Sequence, residues 1–155
     1  MPLEIEKKFL VLNDSFKNKS YKSINIIQGY IFSSDSKVLR VWITPKKSKI
    51  SIKSGSNIIR NEFEYEIPSK DAQDLLLLSK GYVIYKTRYL IKFEGFIWEV
   101  DVFQKENKGL IVAEIELEQE NQKFIKPRWL GEEISFNKKY YNCNLAEIPY
   151  SLWDL

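Results

Sequence analysis

The stretch Leu3-Glu4-Ile5-Glu6-Lys7-Lys8-Phe9-Leu10-Val11 decides how the chain is read. As a strand it places Glu4, Glu6 and Lys8 on one face and Ile5, Lys7, Phe9 and Val11 on the other, because successive strand side chains point to opposite sides. As a helix it would line up Ile5, Phe9 and Leu12 on one stripe. The residues beyond it favour the strand, since the same two-residue alternation recurs along most of the 155-residue chain.

Working outward, the alternation predicts strands at about 3–11, 25–32, 37–44, 49–54, 59–67, 82–93, 96–103 and 110–118. Ser33-Ser34-Asp35-Ser36 and Ser54-Gly55-Ser56-Asn57 read as turns, and Glu94-Gly95 as a tight hairpin connection. Helices are predicted at about 69–78, with Ser69 as N-cap and Gly81 after its end, at 119–126 before Pro127, and at 142–148 before Pro149. The Lys46-Lys47-Ser48-Lys49 run reads as a solvated hairpin tip.

The polar faces carry full charges, strand after strand. Arg40 and Trp42 oppose Leu39, Val41 and Ile43; Lys49, Ser51 and Lys53 oppose Ile50 and Ile52. Arg60, Glu62, Glu64 and Glu66 oppose Ile59, Phe63, Tyr65 and Ile67, and Lys86, Arg88 and Lys92 oppose Tyr85, Tyr89 and Ile91. Glu99 and Asp101 oppose Trp98 and Val100, while Glu114, Glu116 and Glu118 oppose Ile115 and Leu117. Two packings accommodate this pattern. One is an open antiparallel sheet with its charges in solvent, paired across strands. The other is a closed barrel with a charged lumen and an apolar exterior under a few short helices. The large residues on the apolar faces demand burial, three short helices are a thin cover for two sheets, and eight strands suffice to close a barrel around a small ligand. The fold class expected is therefore all-β to α+β: a closed eight-stranded antiparallel barrel in a single domain over 1–155.

A lumen holding both signs of charge has chemical consequences. Buried charges are costly unless paired or engaged by a ligand. Lysines and arginines would meet a polyanion, and glutamates at alternate positions would repel one another unless a divalent cation bridges them. The chain has no histidine, which removes histidine-dependent nucleophiles and histidine metal sites and leaves hard, oxygen-preferring cations as the metals to expect. The charge balance, 24 basic against 21 acidic residues, does not suggest nucleic-acid binding. A lone cysteine, Cys143, excludes an intramolecular disulfide. With no leader pattern and no apolar run long enough for a membrane, a cytoplasmic setting is expected.

The Glu4-x-Glu6-x-Lys8 motif resembles the opening motif of the CYTH, or triphosphate tunnel metalloenzyme, family. Further blocks follow in the family's order: Gln28-Gly29-Tyr30, Leu39-Arg40, Ile52-Lys53, Glu62-Phe63-Glu64, Lys86-Thr87-Arg88-Tyr89, Glu99-Val100-Asp101-Val102-Phe103, Glu114-Ile115-Glu116, Trp129-Leu130-Gly131-Glu132-Glu133, and Lys138-Lys139-Tyr140 before Asn142. The resemblance covers about residues 3–148 and is closest to short bacterial members, several of which act as tripolyphosphatases.

The resemblance implies hydrolysis of a small-molecule triphosphate, most simply inorganic tripolyphosphate, with magnesium or manganese (Mg2+ or Mn2+). It implies that Lys8, Arg40, Lys53, Lys86, Arg88 and Lys138 clamp phosphate oxygens. Glu4, Glu6, Glu62, Glu64, Asp101, Glu114 and Glu116 would hold metal ions and their water, Tyr30 would orient the attacking water, and Lys86 would act as general base. One position departs from the pattern: the usual Arg-x-Arg of the third strand reads Arg40-Val41-Trp42 here, which leaves Lys49 or Arg60 to compensate, or Trp42 to stack on an organic group or narrow the tunnel. Adenylate cyclase, thiamine triphosphatase and a non-catalytic polyphosphate-binding module are the alternatives. The Tyr150–Leu155 tail is apolar enough to pack on the barrel or on a second subunit of a homodimer.

Overall fold

The computed structural model describes residues 3–56 and 58–154; Asn57 of the second expected turn lies outside the described residues, as do Met1, Pro2 and Leu155. Among the described residues nine strands form: β1 (Leu3–Val11), β2 (Lys22–Ser33), β3 (Lys37–Ile43), β4 (Ser48–Ser56), β5 (Ile59–Ile67), β6 (Ile84–Phe93), β7 (Phe96–Phe103), β8 (Ile111–Glu116) and β9 (Leu130–Glu133). Three α-helices accompany them: α1 (Phe16–Lys19), α2 (Ser69–Leu76) and α3 (Asn142–Glu147).

The strand order β5-β4-β3-β2-β6-β7-β8-β1 closes on itself through pairing of β1 with β5, all antiparallel. Eight strands thus make the expected ring. The closure is short. Leu3, Glu4 and Ile5 pair with Asn61, Arg60 and Ile59, after which β1 continues along the same edge against β9 through Phe9 and Val11. The ninth strand was not read from the sequence. It is four residues long and its alternation is too brief to register.

Local chemistry explains the connections. Glu94 and Gly95 both have positive φ, 47° and 82°, the conformation that a two-residue hairpin turn with matching twist requires. At the β3–β4 tip, Thr44 N and Oγ1 donate to Lys47 O and Lys47 N donates to Thr44 Oγ1, as expected for the basic hairpin. α2 starts one residue earlier than a serine cap would set. Pro68 occupies the cap position in extended conformation, its carbonyl accepts from Ala72 N at 3.0 Å, and Ser69 is the first helical residue. No helix forms over 119–126. A helix of eight residues is marginal without a packed apolar face. Here Gln122 Oε1 accepts from Glu118 N at 2.7 Å, turning the chain, and Phe124 is delivered edge-on to Phe9, Phe96 and Trp98.

Two apolar clusters hold the barrel. One lies outside β1, β6, β7 and β8, where Phe9, Trp98, Val100 and Ile115 are covered by Phe16 of α1, by Phe124 and by Trp129. The other seals one end of the ring. Val38, Ile84, Phe103 and Val112 stand two residues from Arg40, Lys86, Asp101 and Glu114 respectively, hence on the same face, and pack with Tyr30 against Leu145 and Ala146 of α3. The lumen thus changes from charged to apolar towards the end that α3 closes. Phe32, Ile52 and Tyr65 on the outer face of β2, β4 and β5 stay 45–58% exposed. The C-terminal Trp153 stacks edge-on against Tyr140 and Tyr150, both at 5.0 Å. Among the described residues, no helix is long and apolar enough to cross a membrane.

Candidate active site

Alternation within the ring turns the charged faces of the strands inward. They line a cavity of about 420 Å³ that takes in Glu4, Glu6, Lys8, Arg40, Lys53, Arg60, Glu62, Lys86, Arg88, Glu99 and Glu114. Lys8, Lys53, Lys86, Glu4, Asp101 and Glu114 are each no more than 8% exposed, a burial that charged residues reach only when paired or liganded.

Three acidic side chains converge on one wall. Glu6, Glu99 and Glu114 each present a carboxylate oxygen within 4.8 Å of the other two. They come from β1, β7 and β8, which are neighbours in the ring, with Glu99 directly opposite Glu114 in the register. Burial, then the charge of Glu114, pushes the Glu6 carboxyl well above its ordinary range. Arg88 favours the charge on Glu99, but burial and the charges of Glu114, Glu6 and Asp101 leave that carboxyl raised as well. Glu114 is the ionised member: burial opposes its charge, yet Lys8, Arg88 and Lys86 hold it well below the usual value. Such a group is repulsive by itself and would be relieved by a cation bound between its oxygens.

The cations face these carboxylates. Lys8 Nζ lies 3.0 Å from Glu114 Oε1, and those two acids, Glu114 and Glu6, overcome the penalty of burial to hold its ammonium above the ordinary value. Lys53 Nζ bridges Glu4 at 3.1 Å and Glu62 at 3.2 Å. Arg40 reaches Glu62 at 3.4 Å and stands beside the buried Tyr30, while its own Nε is among the buried polar atoms without a partner. Arg88 forks onto Asp101, with Nε 2.7 Å from Oδ1 and Nη2 3.0 Å from Oδ2, and extends Nη1 to Glu99 at 2.7 Å. Lys86 Nζ sits 2.8 Å from Asp101 Oδ2. Burial outweighs that carboxylate, and Arg88 adds to it, so the Lys86 amine falls to about 8.

The sequence-predicted residues do not all arrive in the same place. Lys8, Tyr30, Arg40, Lys53, Lys86, Arg88, Glu4, Glu6, Glu62 and Glu114 line the chamber. Asp101 is 1% exposed and committed to Arg88 and Lys86. Glu64 and Glu116 are exposed at the chamber's edge, Glu64 paired with Lys49 at 3.1 Å. Lys138 is exposed and lines a separate cavity of about 270 Å³ that shares Val38, Lys53, Arg60, Tyr141 and Cys143 with the chamber.

Glu99, Tyr141 and Asn142 are among the chamber residues that were given no role from the sequence. Glu99 had a readable signal, since it shares a strand face with Asp101. Arg60, named only as a substitute cation, places Nη2 3.7 Å from both Glu4 and Glu6. Trp42 stands at the chamber's edge with Lys49 Nζ 5.2 Å from its ring centroid.

Fold and site together define a closed antiparallel barrel whose cavity is lined by side chains of both charge signs. The chain belongs to the CYTH domain family, whose model matches residues 2–149. It is 46% identical over 152 residues to the inorganic triphosphatase of Acetivibrio thermocellus, with 97% of each chain covered. It is 34% identical over 147 residues to the inorganic triphosphatase of Nitrosomonas europaea, covering 92% of this chain and 96% of that one. A crystal structure of an inorganic triphosphatase superposes with a TM-score of 0.70 at 33% identity over 94% of this chain and 95% of its own.

Proposed function

We propose that this chain hydrolyses inorganic triphosphate in the barrel lumen, with a divalent cation held by Glu6, Glu99 and Glu114. One observation carries the reading: three convergent carboxylates share a single cavity with buried lysines and arginines. Full-length similarity to two inorganic triphosphatases supports it.

The carboxylate set fits the ion. Its donors are all hard oxygens within 4.8 Å of each other, and the two raised carboxyls would ionise on meeting a cation. That chemistry suits magnesium or manganese rather than zinc. When bound, the ion would neutralise charge on the phosphate oxygens. Glu4 and Glu62 are pledged to Lys53, Arg40 and Arg60, and serve to hold those cations in place. Asp101 holds Lys86 and Arg88.

The remaining steps belong to the chain's own residues. Lys8, Arg40, Lys53 and Arg88 bind the phosphate oxygens and fix the terminal phosphorus in the lumen. Water attacks that phosphorus in line with the bridging oxygen. The new P–O bond forms as the bridging P–O bond breaks, so one triphosphate and one water give orthophosphate and pyrophosphate. Lys86, a third of whose N–H directions is free of protein acceptors, takes the water's proton as a neutral amine. Tyr30, beside Arg40, helps order that region.

A substrate panel tests the reading. Phosphate release from tripolyphosphate, pyrophosphate, ATP and thiamine triphosphate is measured with magnesium and with manganese. Metal-dependent release that is greatest on tripolyphosphate is expected. Cyclic AMP from ATP would instead make the protein a cyclase, preference for thiamine triphosphate a thiamine triphosphatase, and tight tripolyphosphate binding without release a binding module.

A further inference from the structure

Asn142 is the first residue of α3, the helix that closes the apolar end of the barrel, and its side chain lines the chamber. Asn142 Oδ1 lies 3.2 Å from Lys86 Nζ, and the residue is 9% exposed. A lysine ammonium has three donors and no acceptor, so the amide must turn its oxygen to it. Asp101 Oδ2, at 2.8 Å, takes a second N–H direction. The Phe103 ring centroid lies 5.6 Å from the nitrogen. Two fixed acceptors, one on β7 and one on α3, therefore hold the amine and leave its third position to the chamber.

The helix that carries Asn142 is itself firmly placed. Leu145 and Ala146 are 0% and 1% exposed in the end cluster, and Tyr82 N donates to Ala146 O at 2.7 Å. Gly81 has φ +71°, and a Cβ there would run into the Ala146 carbonyl, so the loop and the helix meet backbone to backbone. Further on, Tyr150 N donates to the buried Asn107 Oδ1 at 2.9 Å.

We propose that Asn142 is a positioning residue for Lys86, so that the C-terminal helix is part of the active site as well as its plug. The amide supplies a directional acceptor without adding charge to a chamber already crowded with carboxylates. This assignment rests on reading Lys86 as the group that meets the attacking water.

The test is steady-state hydrolysis of tripolyphosphate with magnesium by wild type, Lys86→Ala, Asn142→Leu and Asn142→Asp, each at its own pH optimum. Asn142→Leu removes the acceptor at similar volume. Its kcat should fall about tenfold to a hundredfold, the loss that a misplaced reacting group brings. Its KM and the magnesium concentration for half activity should stay within about twofold. Asn142→Asp, which keeps an oxygen at the same place, should recover most of kcat at an optimum moved to higher pH, because its charge favours the Lys86 ammonium. Should Asn142→Leu fail to fold, Asn142→Ala carries the same comparison. An unchanged kcat in Asn142→Leu, or no recovery in Asn142→Asp, overturns the assignment while the Lys86→Ala loss leaves the triphosphatase reading intact. A wild type that releases no phosphate overturns both.

Discussion

Lys86 Nζ and Asp101 Oδ2 lie 2.8 Å apart, and each side chain is 1% exposed. The same carboxylate receives the guanidinium fork of Arg88: burial opposes its charge, but Arg88 and Lys86 overcome that and hold Asp101 below its ordinary range. Asp101 is thus the counter-charge for two buried cations. Replacing Asp101 with alanine strands both of them, and removing one partner of a buried pair costs about 3–5 kcal/mol. Urea unfolding of Asp101→Ala should show a loss of that size. A loss below about 1 kcal/mol would mean that water or another carboxylate replaces it.

The Lys86 amine near 8 sets the sign of the pH dependence. A general base works as its neutral form, which burial favours and which grows as pH rises through that value. About one lysine in ten is neutral one unit below and about nine in ten one unit above. The rate on tripolyphosphate at saturating magnesium should therefore rise about tenfold from pH 7 to pH 9. Lys86→Arg, which cannot lose its proton in that range, should abolish the rise. A flat wild-type profile with unaltered metal affinity would exclude Lys86 as the base.

Glu6 shows the opposite relation between charge and stability. Its raised carboxyl means that ionisation at neutral pH weakens the metal-free fold, chiefly through burial and Glu114. Glu6→Gln should be at least as stable as wild type in chelator. It should also lose the stabilisation that a hundredfold excess of magnesium over its Kd provides, about 2.7 kcal/mol. Thermal melts with and without magnesium read both effects, and the metal-dependent rate should fall at least tenfold alongside. Glu116→Gln, at the exposed edge, should lose less.

Trp42 pairs with Lys49 across β3 and β4 at the chamber's edge. If its ring stacks on a base, Trp42→Arg should lower kcat/KM for ATP relative to tripolyphosphate by about fivefold or more, since such stacking is worth ~1–3 kcal/mol. An unchanged ratio would leave Trp42 as a filler of the wall.

Much of the site was legible because a strand's two faces can be read residue by residue. Glu4, Glu6 and Lys8, or Lys86 and Arg88, share a face whatever the strand pairs with. The ends of strands β1, β5 and β7 fell where the alternation put them, at Leu3–Val11, Ile59–Ile67 and Phe96–Phe103. The loop after β8 was misread as a helix because its polar run has helix-compatible composition, while Phe124, one aromatic among polar neighbours, is drawn into the outer cluster. β9 escaped notice because it exists only by adding to the free edge of β1.

The sequence alone determined which side chains travel together on a face, that the faces are ionic and apolar in turn, and that no histidine can share in the chemistry, since all of these are local or compositional. Only the tertiary structure decided which charges meet. Lys8 and Glu114 are 106 positions apart, and Lys86 finds Asn142 across 56. Ring closure brings such residues together, because neighbours in a barrel are set by strand order and register, which alternation within a single strand does not encode.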